Sequence, residues 1–166
     1  GAGIGKCMIA LMRADFDAFG IEGSESFYHA AIERNRISPD RISLATMEQA
    51  SFGPASFDFI TFGAVLEHLN DPSSAILKAM GWLKAGGLLH VEVPSSKWLV
   101  SRCANLFYRV TCSDYVVNLS PMHPPYHLYE FSLDSFGRHA LRFQYEIAHH
   151  QFYVAQTYMP GFIAPL

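Results

Sequence analysis

Three alternating glycines, Gly1, Gly3 and Gly5, directly precede residues 6–13, whose apolar side chains recur with helical periodicity. Because glycine has no Cβ, such a loop lets the backbone turn sharply into a helix while a ligand approaches the main chain. Glu22 follows at the end of the next predicted strand, where a carboxylate can accept both hydroxyl hydrogens of a ribose. The loop and the acidic residue together predict a site for a nucleoside-containing ligand.

Two residues after the loop argue against the other ligands that glycine loops bind, dinucleotides and nucleotide phosphates. A dinucleotide fingerprint requires glycine where Lys6 stands, and a phosphate loop requires Ser or Thr where Cys7 stands. A nicotinamide-dependent oxidoreductase is therefore the weaker interpretation.

The first half of the chain shows alternating short strands and helices, the pattern of a parallel α/β sheet. The predicted strands are 16–22, 42–45, 57–62 and 88–93, and the predicted helices are 6–13, 26–35 with a cap at Ser24, and 72–84, stopped by Ala85-Gly86-Gly87. After Pro94 the alternation fails, and the pattern predicts helices at 98–110 and 133–141 and a strand at 145–154. We expect residues 95–129 to form an inserted lid.

Length and composition indicate one globular domain spanning residues 1–166, or a piece of one. Most aromatic residues lie after residue 97, where charged residues are few, which gives the second half the character of an apolar wall. The net charge of −3, without a basic run, argues against a nucleic-acid partner. No apolar stretch is long enough to span a membrane, and three widely spaced cysteines suit the reducing cytoplasm. The oligomeric state stays open.

Five segments of the first half form an ordered set of motifs. They are Gly1-Ala2-Gly3-Ile4-Gly5, Gly20-Ile21-Glu22, Ser56-Phe57-Asp58-Phe59-Ile60, Val65-Leu66-Glu67-His68-Leu69-Asn70-Asp71-Pro72 and Leu83-Lys84-Ala85-Gly86-Gly87. In this order they resemble the class I S-adenosylmethionine-dependent methyltransferases over residues 1–93. Residues 127–152 are more loosely similar to the small-molecule branch that includes ubiquinone and menaquinone methyltransferases.

The resemblance implies a Rossmann-like three-layer sandwich with a mainly parallel sheet, and S-adenosyl-L-methionine as cofactor. The implied cofactor-binding residues are Gly1, Gly3 and Gly5 at the methionine part, Glu22 at the ribose, Thr46, Met47 and Glu48 at the adenine, and Phe62 and Gly63 after the fourth strand of the family's sheet. Thr46 departs from the pattern, because the family usually has aspartate there. The family's first strand would precede Gly1, so we expect a fragment truncated at both ends.

Methyl transfer from a sulfonium needs alignment in a dry site more than it needs a nucleophilic residue or a metal. An oxygen or nitrogen acceptor can still require a base, and His68, His123 and His127 are the candidates, with His68 and His127 preferred as catalytic residues. Simple stabilisation of the turn at Glu67 and His68, or packing of the lid, is the competing interpretation.

No metal site is predicted, since Cys103, Cys112, His123 and His127 lack the short spacing of structural zinc sites. The sequence thus predicts an enzyme that methylates a small-molecule acceptor on an unspecified atom. A non-catalytic cofactor-binding or scaffold module of the same fold is the alternative.

Overall fold

The structure, a computed structural model, describes residues 1–97, 99–117, 119–122 and 126–153. Its helices are α1 (Lys6–Arg13), α2 (Glu25–Glu33), α3 (Pro72–Trp82), α4 (Leu99–Val110) and α5 (Leu133–Phe143). Its strands are β1 (Gly20–Glu22), β2 (Ile42–Leu44), β3 (Phe57–Gly63) and β4 (Leu83–Glu92). A single turn of 3-10 helix, Leu66–His68, follows β3.

The chain divides into two compact units. The first, Gly1–Ser132, holds all four strands and helices α1 to α4. The second begins at Leu133, and its described part contains α5. That residues 1–166 form one domain stays a prediction.

The strands form two parallel pairs. β1 pairs with β2 from Gly20 opposite Ile42, and β3 pairs with β4 along a register that ends with Gly63 opposite Glu92. Among the described residues no strand lies between the two pairs. Parallel strands joined by helices confirm the predicted α/β class and bring the carboxyl ends of each pair to one edge.

A small apolar core fixes the glycine loop against α2. Met8, Ala31, Ile37 and Ile42 are buried together. Gly5 precedes α1 at its N-cap with a left-handed backbone, φ +81°, and a Cβ on Gly5 would overlap the Cδ1 atom of Ile37. Glycine is therefore required at position 5 both for the turn and for the packing of the core.

Helix α3 begins as the sequence predicts. Asp71 caps it by accepting a hydrogen bond from the Ser74 amide at 2.9 Å, and Pro72 occupies the first helical position. The Ser74 hydroxyl also hydrogen-bonds Asp71 and lowers the pKa of its carboxyl. The buried face of α3 ends at Trp82, whose ring packs edge to face with the Phe52 ring, with centroids 5.1 Å apart.

The first strand is shorter than predicted. The predicted strand 16–22 contains β1 only at Gly20–Glu22. The Phe16 amide instead donates to the carbonyl of Leu11, and Asp15 has a positive φ of 62°, so these residues close the end of α1.

The glycines at 85–87 also behave differently from the prediction. Helix α3 ends at Trp82 rather than at residue 84, and residues 85–87 lie within β4. Leu83 pairs with Phe57 but Leu88 pairs with Phe59, so residues 84–87 bulge opposite a single residue of β3. The positive φ of Gly86, 78°, supplies the bend.

The predicted strand at 145–154 is wrong for residues 145–153, which form no strand; residue 154 lies outside the described residues. The Tyr145 amide closes α5 by donating to Ala140, and the Tyr145 hydroxyl lies 3.0 Å from Nδ1 of His139. Tyr145 therefore folds back on the helix instead of extending away from it.

The predicted lid contains α4 at its amino-terminal end. This helix confirms the predicted 98–110 except for residue 98, which is outside the described residues. Leu99, Leu106, Phe107 and Val110 expose more than half of their surface. None of the described helices combines the length and the apolar character needed to span a bilayer.

We predict opposite effects of the same substitution at two glycines. Gly5→Ala should lower the free energy of unfolding by about 2–4 kcal/mol, because the left-handed backbone and the contact with Ile37 both oppose a side chain. Gly81→Ala in α3, where a Cβ meets no atom within 4 Å, should raise it by about 0.5–1 kcal/mol. Urea unfolding curves measure both, and a Gly5→Ala protein as stable as the parent would contradict the assignment.

Candidate active site

The glycine loop is held by the carboxylate of Glu22, at the end of β1. Its Oε2 accepts a hydrogen bond from the Gly3 amide at 2.6 Å, and its Oε1 accepts one from the Ser24 amide at 2.8 Å. The Ala2 amide donates to the carbonyl of Ile21 at 2.7 Å, so the loop continues the edge of β1. Glu22 is 6% exposed, and these hydrogen bonds compensate for its burial.

The three predicted glycines have different surroundings. Gly3 has φ +56°, and a Cβ there would meet no atom within 4 Å, so this part of the loop faces open space. A Cβ on Gly1 would lie 3.3 Å from Oε2 of Glu22 and 4.0 Å from Cγ2 of Val65. Gly5 faces the core, as described above. The open side of the loop therefore lies at Gly3, beside Glu22.

The turn after β2 is fixed by a lysine that sequence reasoning missed. Lys78 of α3 donates to the carbonyls of Met47 and Glu48 at 3.0 and 2.7 Å. Met47 is buried, so only its main chain can reach a ligand, whereas Thr46 and Glu48 are exposed. A hydrogen bond from Thr46 lowers the pKa of the Glu48 carboxyl.

The carboxyl end of β3 supplies a second open position. Phe62 is buried, while a Cβ on Gly63 would meet no atom within 4 Å. Ala64 then leaves the strand with a positive φ of 52°, held by a hydrogen bond from its amide to the carbonyl of Glu92 at 3.0 Å. A non-glycine residue in this region of φ stores backbone strain, which is common at functional sites.

Residues 126–131, here called the docking segment, fasten the carboxyl-terminal end of the lid to the turn after β3. The Leu128 amide donates to the carbonyl of Glu67 at 2.8 Å, and the Tyr129 hydroxyl donates to the carbonyl of Asn70 at 2.8 Å. Nδ1 of His68 lies 2.7 Å from the carbonyl oxygen of Tyr126. The lid and the sheet edge thus meet at Glu67 and His68.

The two predicted catalytic histidines lie together at this junction. The rings of His68 and His127 meet edge to face, with centroids 4.7 Å apart. The third candidate, His123, lies outside the described residues. The structure therefore brings together two histidines that are 59 positions apart in the sequence, beside the carboxyl end of β3.

A further residue of this site, Glu67, was interpreted from the sequence only as a stabiliser of the turn. It is 1% exposed, and its Oε1 lies 4.0 Å from Nε2 of His68. The sequence feature that could have identified Glu67 as a residue of this site is a glutamate next to a histidine directly after a predicted strand. Its burial could not be predicted, because it results from the docking segment covering the turn.

Comparison with known proteins identifies the first half of the chain. A family described as "Methyltransferase domain" matches residues 1–91, which is more than half of the sequence. No curated protein matches significantly.

Solved structures share the fold. A SAM-dependent methyltransferase from Methanosarcina mazei superposes with a TM-score of 0.70 and 20% identity, covering 95% of this chain and 82% of that chain. The YcgJ protein from Bacillus subtilis has a TM-score of 0.61 and 20% identity, covering 86% of this chain and 58% of its own.

A possible histamine N-methyltransferase from Thermotoga maritima also has a TM-score of 0.61, with 21% identity over 86% of this chain and 59% of that one. The present chain thus spans less than two thirds of the length of these last two proteins. At such identities the likeness shows the fold, which is the Rossmann-like fold predicted from the sequence.

Proposed function

This chain belongs to the methyltransferase-domain family, and we propose that it transfers a methyl group from S-adenosylmethionine to a small-molecule acceptor. The family membership implies S-adenosylmethionine as the cofactor. The observation that carries the proposal is the loop at Gly3, which is open on one side and is anchored on the other by the buried carboxylate of Glu22.

The residues around this loop fit the cofactor. When bound, S-adenosylmethionine supplies a methyl group on a positively charged sulfur. Gly1, Gly3 and Gly5 would line its methionine part through their main chain, with Gly3 leaving the space that a side chain would fill. Among the described residues each oxygen of Glu22 accepts one hydrogen bond, and a carboxylate can accept about four, so acceptor capacity remains for two ribose hydroxyls.

The other end of the cofactor would lie at the turn after β2. Thr46, Met47 and Glu48 offer the adenine a main chain whose carbonyls at 47 and 48 are engaged by Lys78. Phe62 and Gly63 would lie between this turn and the acceptor side, with Gly63 providing the open surface. A Cβ on Gly1 would contact both Glu22, at the end of β1, and Val65, in the turn after β3. This supports the proposal that the ends of β1 and β3 lie close together around the cofactor.

We assign the acceptor to the lid side. The exposed apolar side chains of α4, together with Tyr126 and Tyr129, provide surface for an apolar or aromatic small molecule and would exclude water. His68 and His127 lie at the base of the lid, where they can orient the acceptor or receive its proton if it is an alcohol, a phenol or an amine.

The proposed setting is the cytoplasm, without a nucleic-acid partner. The three cysteines, Cys7, Cys103 and Cys112, are free and exposed, which suits a reducing compartment. The net charge of −3 offers no attraction for a phosphate backbone.

Product formation tests the proposal. We expect the protein to transfer label from methyl-labelled S-adenosylmethionine to at least one member of a panel of phenols, alcohols, amines and thiols, with release of S-adenosylhomocysteine. Binding of the cofactor without product across the panel would indicate the alternative, a non-catalytic cofactor-binding or scaffold module.

We predict that Glu22→Ala raises the dissociation constant for S-adenosylmethionine about 10- to 150-fold, which corresponds to the ~1.5–3 kcal/mol of charge-assisted hydrogen bonds. Titration calorimetry measures the change. Glu25→Ala, which removes an exposed carboxylate from the first turn of α2, should leave the constant unchanged. Equal affinity of the Glu22→Ala protein and the parent would exclude Glu22 from the site.

Replacement of residues 95–129 by a short Gly-Ser linker should lower the turnover of the acceptor about 100-fold or more, because the linker removes both the cover and His127. The cofactor dissociation constant should change less than about threefold, since the predicted cofactor residues all precede β4. His127→Ala, with the lid retained, should lower kcat at saturating cofactor. Equal losses of turnover and cofactor affinity would identify the segment as structural core.

A further inference from the structure

Three side chains that can bind a metal ion meet at the base of the lid. Glu67 and His68 lie in the turn after β3, and His127 lies in the docking segment. One ligand atom from each lies within 4.8 Å of the others. Since β3 and the docking segment are far apart in sequence, the fold itself assembles this cluster.

The carboxylate of Glu67 has one oxygen without a protein partner. The residue is 1% exposed, and Oε2 is buried with no hydrogen-bond donor among the described residues. Among the described residues, no lysine or arginine forms an ion pair with Glu67. The basic side chain near its carboxylate is His68, whose Nε2 lies 4.0 Å from Oε1. A buried carboxylate in this situation requires a positive charge or a proton nearby.

His68 is oriented as a metal ligand would be. A carbonyl oxygen can only accept, so the 2.7 Å contact with Tyr126 places a hydrogen on Nδ1. In the neutral ring, Nε2 then carries a lone pair and faces the carboxylate of Glu67. Metal-binding histidines typically donate their other ring N–H to a backbone carbonyl in this manner.

Nε2 of His68 and the carboxylate of Glu67 are both electron-pair donors, and a cation bound between them would satisfy both. We propose that Glu67, His68 and His127 bind a divalent transition-metal ion, of which Zn²⁺ is the representative. One carboxylate and two imidazoles form a ligand set that suits such ions. For ligand bonds of ~2.0–2.2 Å, the ligand atoms have to approach one another by about 1 Å from their present separation.

The ion site does not depend on the proposed methyl transfer. The side chain of His68 is 35% exposed, so the cluster has an open side toward the lid. If the proposed function holds, this side is where an oxygen or nitrogen atom of the acceptor can coordinate. His68 and His127 then act on the acceptor through the ion.

Metal titration of the EDTA-treated, dialysed protein tests the site without cofactor or acceptor. Zn²⁺ is titrated in competition with a chromophoric chelator, and Co²⁺ is added separately to record its visible absorption. We expect one equivalent of tight binding and a Co²⁺ spectrum that shows nitrogen ligands. Glu67→Gln, His68→Ala and His127→Ala should each weaken Zn²⁺ binding at least ~10- to 100-fold.

The matched control is His29→Ala on α2. His29 lies between two glutamates, 3.8 Å from Oε1 of Glu25 and 3.6 Å from Oε1 of Glu33, so it offers the same residue types on an exposed surface. This variant should bind Zn²⁺ as the parent does. Far-UV circular dichroism establishes that each variant is folded, and His68→Ala, at an exposed position, retains the test if Glu67→Gln fails to fold.

Zn²⁺ binding that is absent from the parent, unchanged in the site variants, or lost in His29→Ala would overturn the proposal. Methyl transfer at full rate after chelation, with the site still able to bind Zn²⁺, would show that the acceptor does not coordinate the ion. The ion site itself would stand. Failure of methyl transfer with intact Zn²⁺ binding would overturn the proposed function and leave the ion site standing.

Discussion

The buried carboxylate of Glu22 determines where the glycine loop can lie. A carboxylate removed from water must be hydrogen-bonded, and the two amides that satisfy it come from Gly3 on one side and Ser24 on the other. The loop, the end of β1 and the start of α2 are consequently fixed to one another. The same carboxylate holds the amide of Gly3, the residue at which a Cβ would meet no atom within 4 Å.

A second polar junction organises the other sheet edge. β3 ends in the strained Ala64, and the turn that follows buries Glu67 beneath the docking segment. This junction joins residues that are 58 to 61 positions apart in the chain, through one main-chain hydrogen bond and two contacts of side chains with main-chain carbonyls. The proximity of Gly1 to Val65 brings the two junctions close together, so the loop side and the lid side form neighbouring parts of one surface.

Much of this arrangement could be predicted from local sequence. The helix start at Pro72, the helix after the glycine loop and the strand predicted at 57–62 depend on neighbours in the chain, and these predictions are confirmed, with the strand one residue longer. The glycine bulge in β4 and the return of Tyr145 to α5 depend on which residues they oppose, and the local pattern favoured a turn and a strand instead. The burial of Glu67 depends on contacts 61 residues away, which no local pattern contains. The roles of Gly1, Gly3, Glu22, His68 and His127 stay predictions.

The docking segment is attached to the sheet edge by few hydrogen bonds, and the one between the Leu128 amide and the carbonyl of Glu67 lies entirely in the backbone. That amide exchanges its hydrogen with solvent only when the segment lifts, and lifting does not require the strands to separate. The exchange rate of the Leu128 amide therefore reports the opening of the docking segment rather than the unfolding of the whole protein. If the acceptor binds beneath the lid, as we propose, its entry requires the same opening, and the exchange rate of this amide and the association rate of the acceptor would then report a single motion.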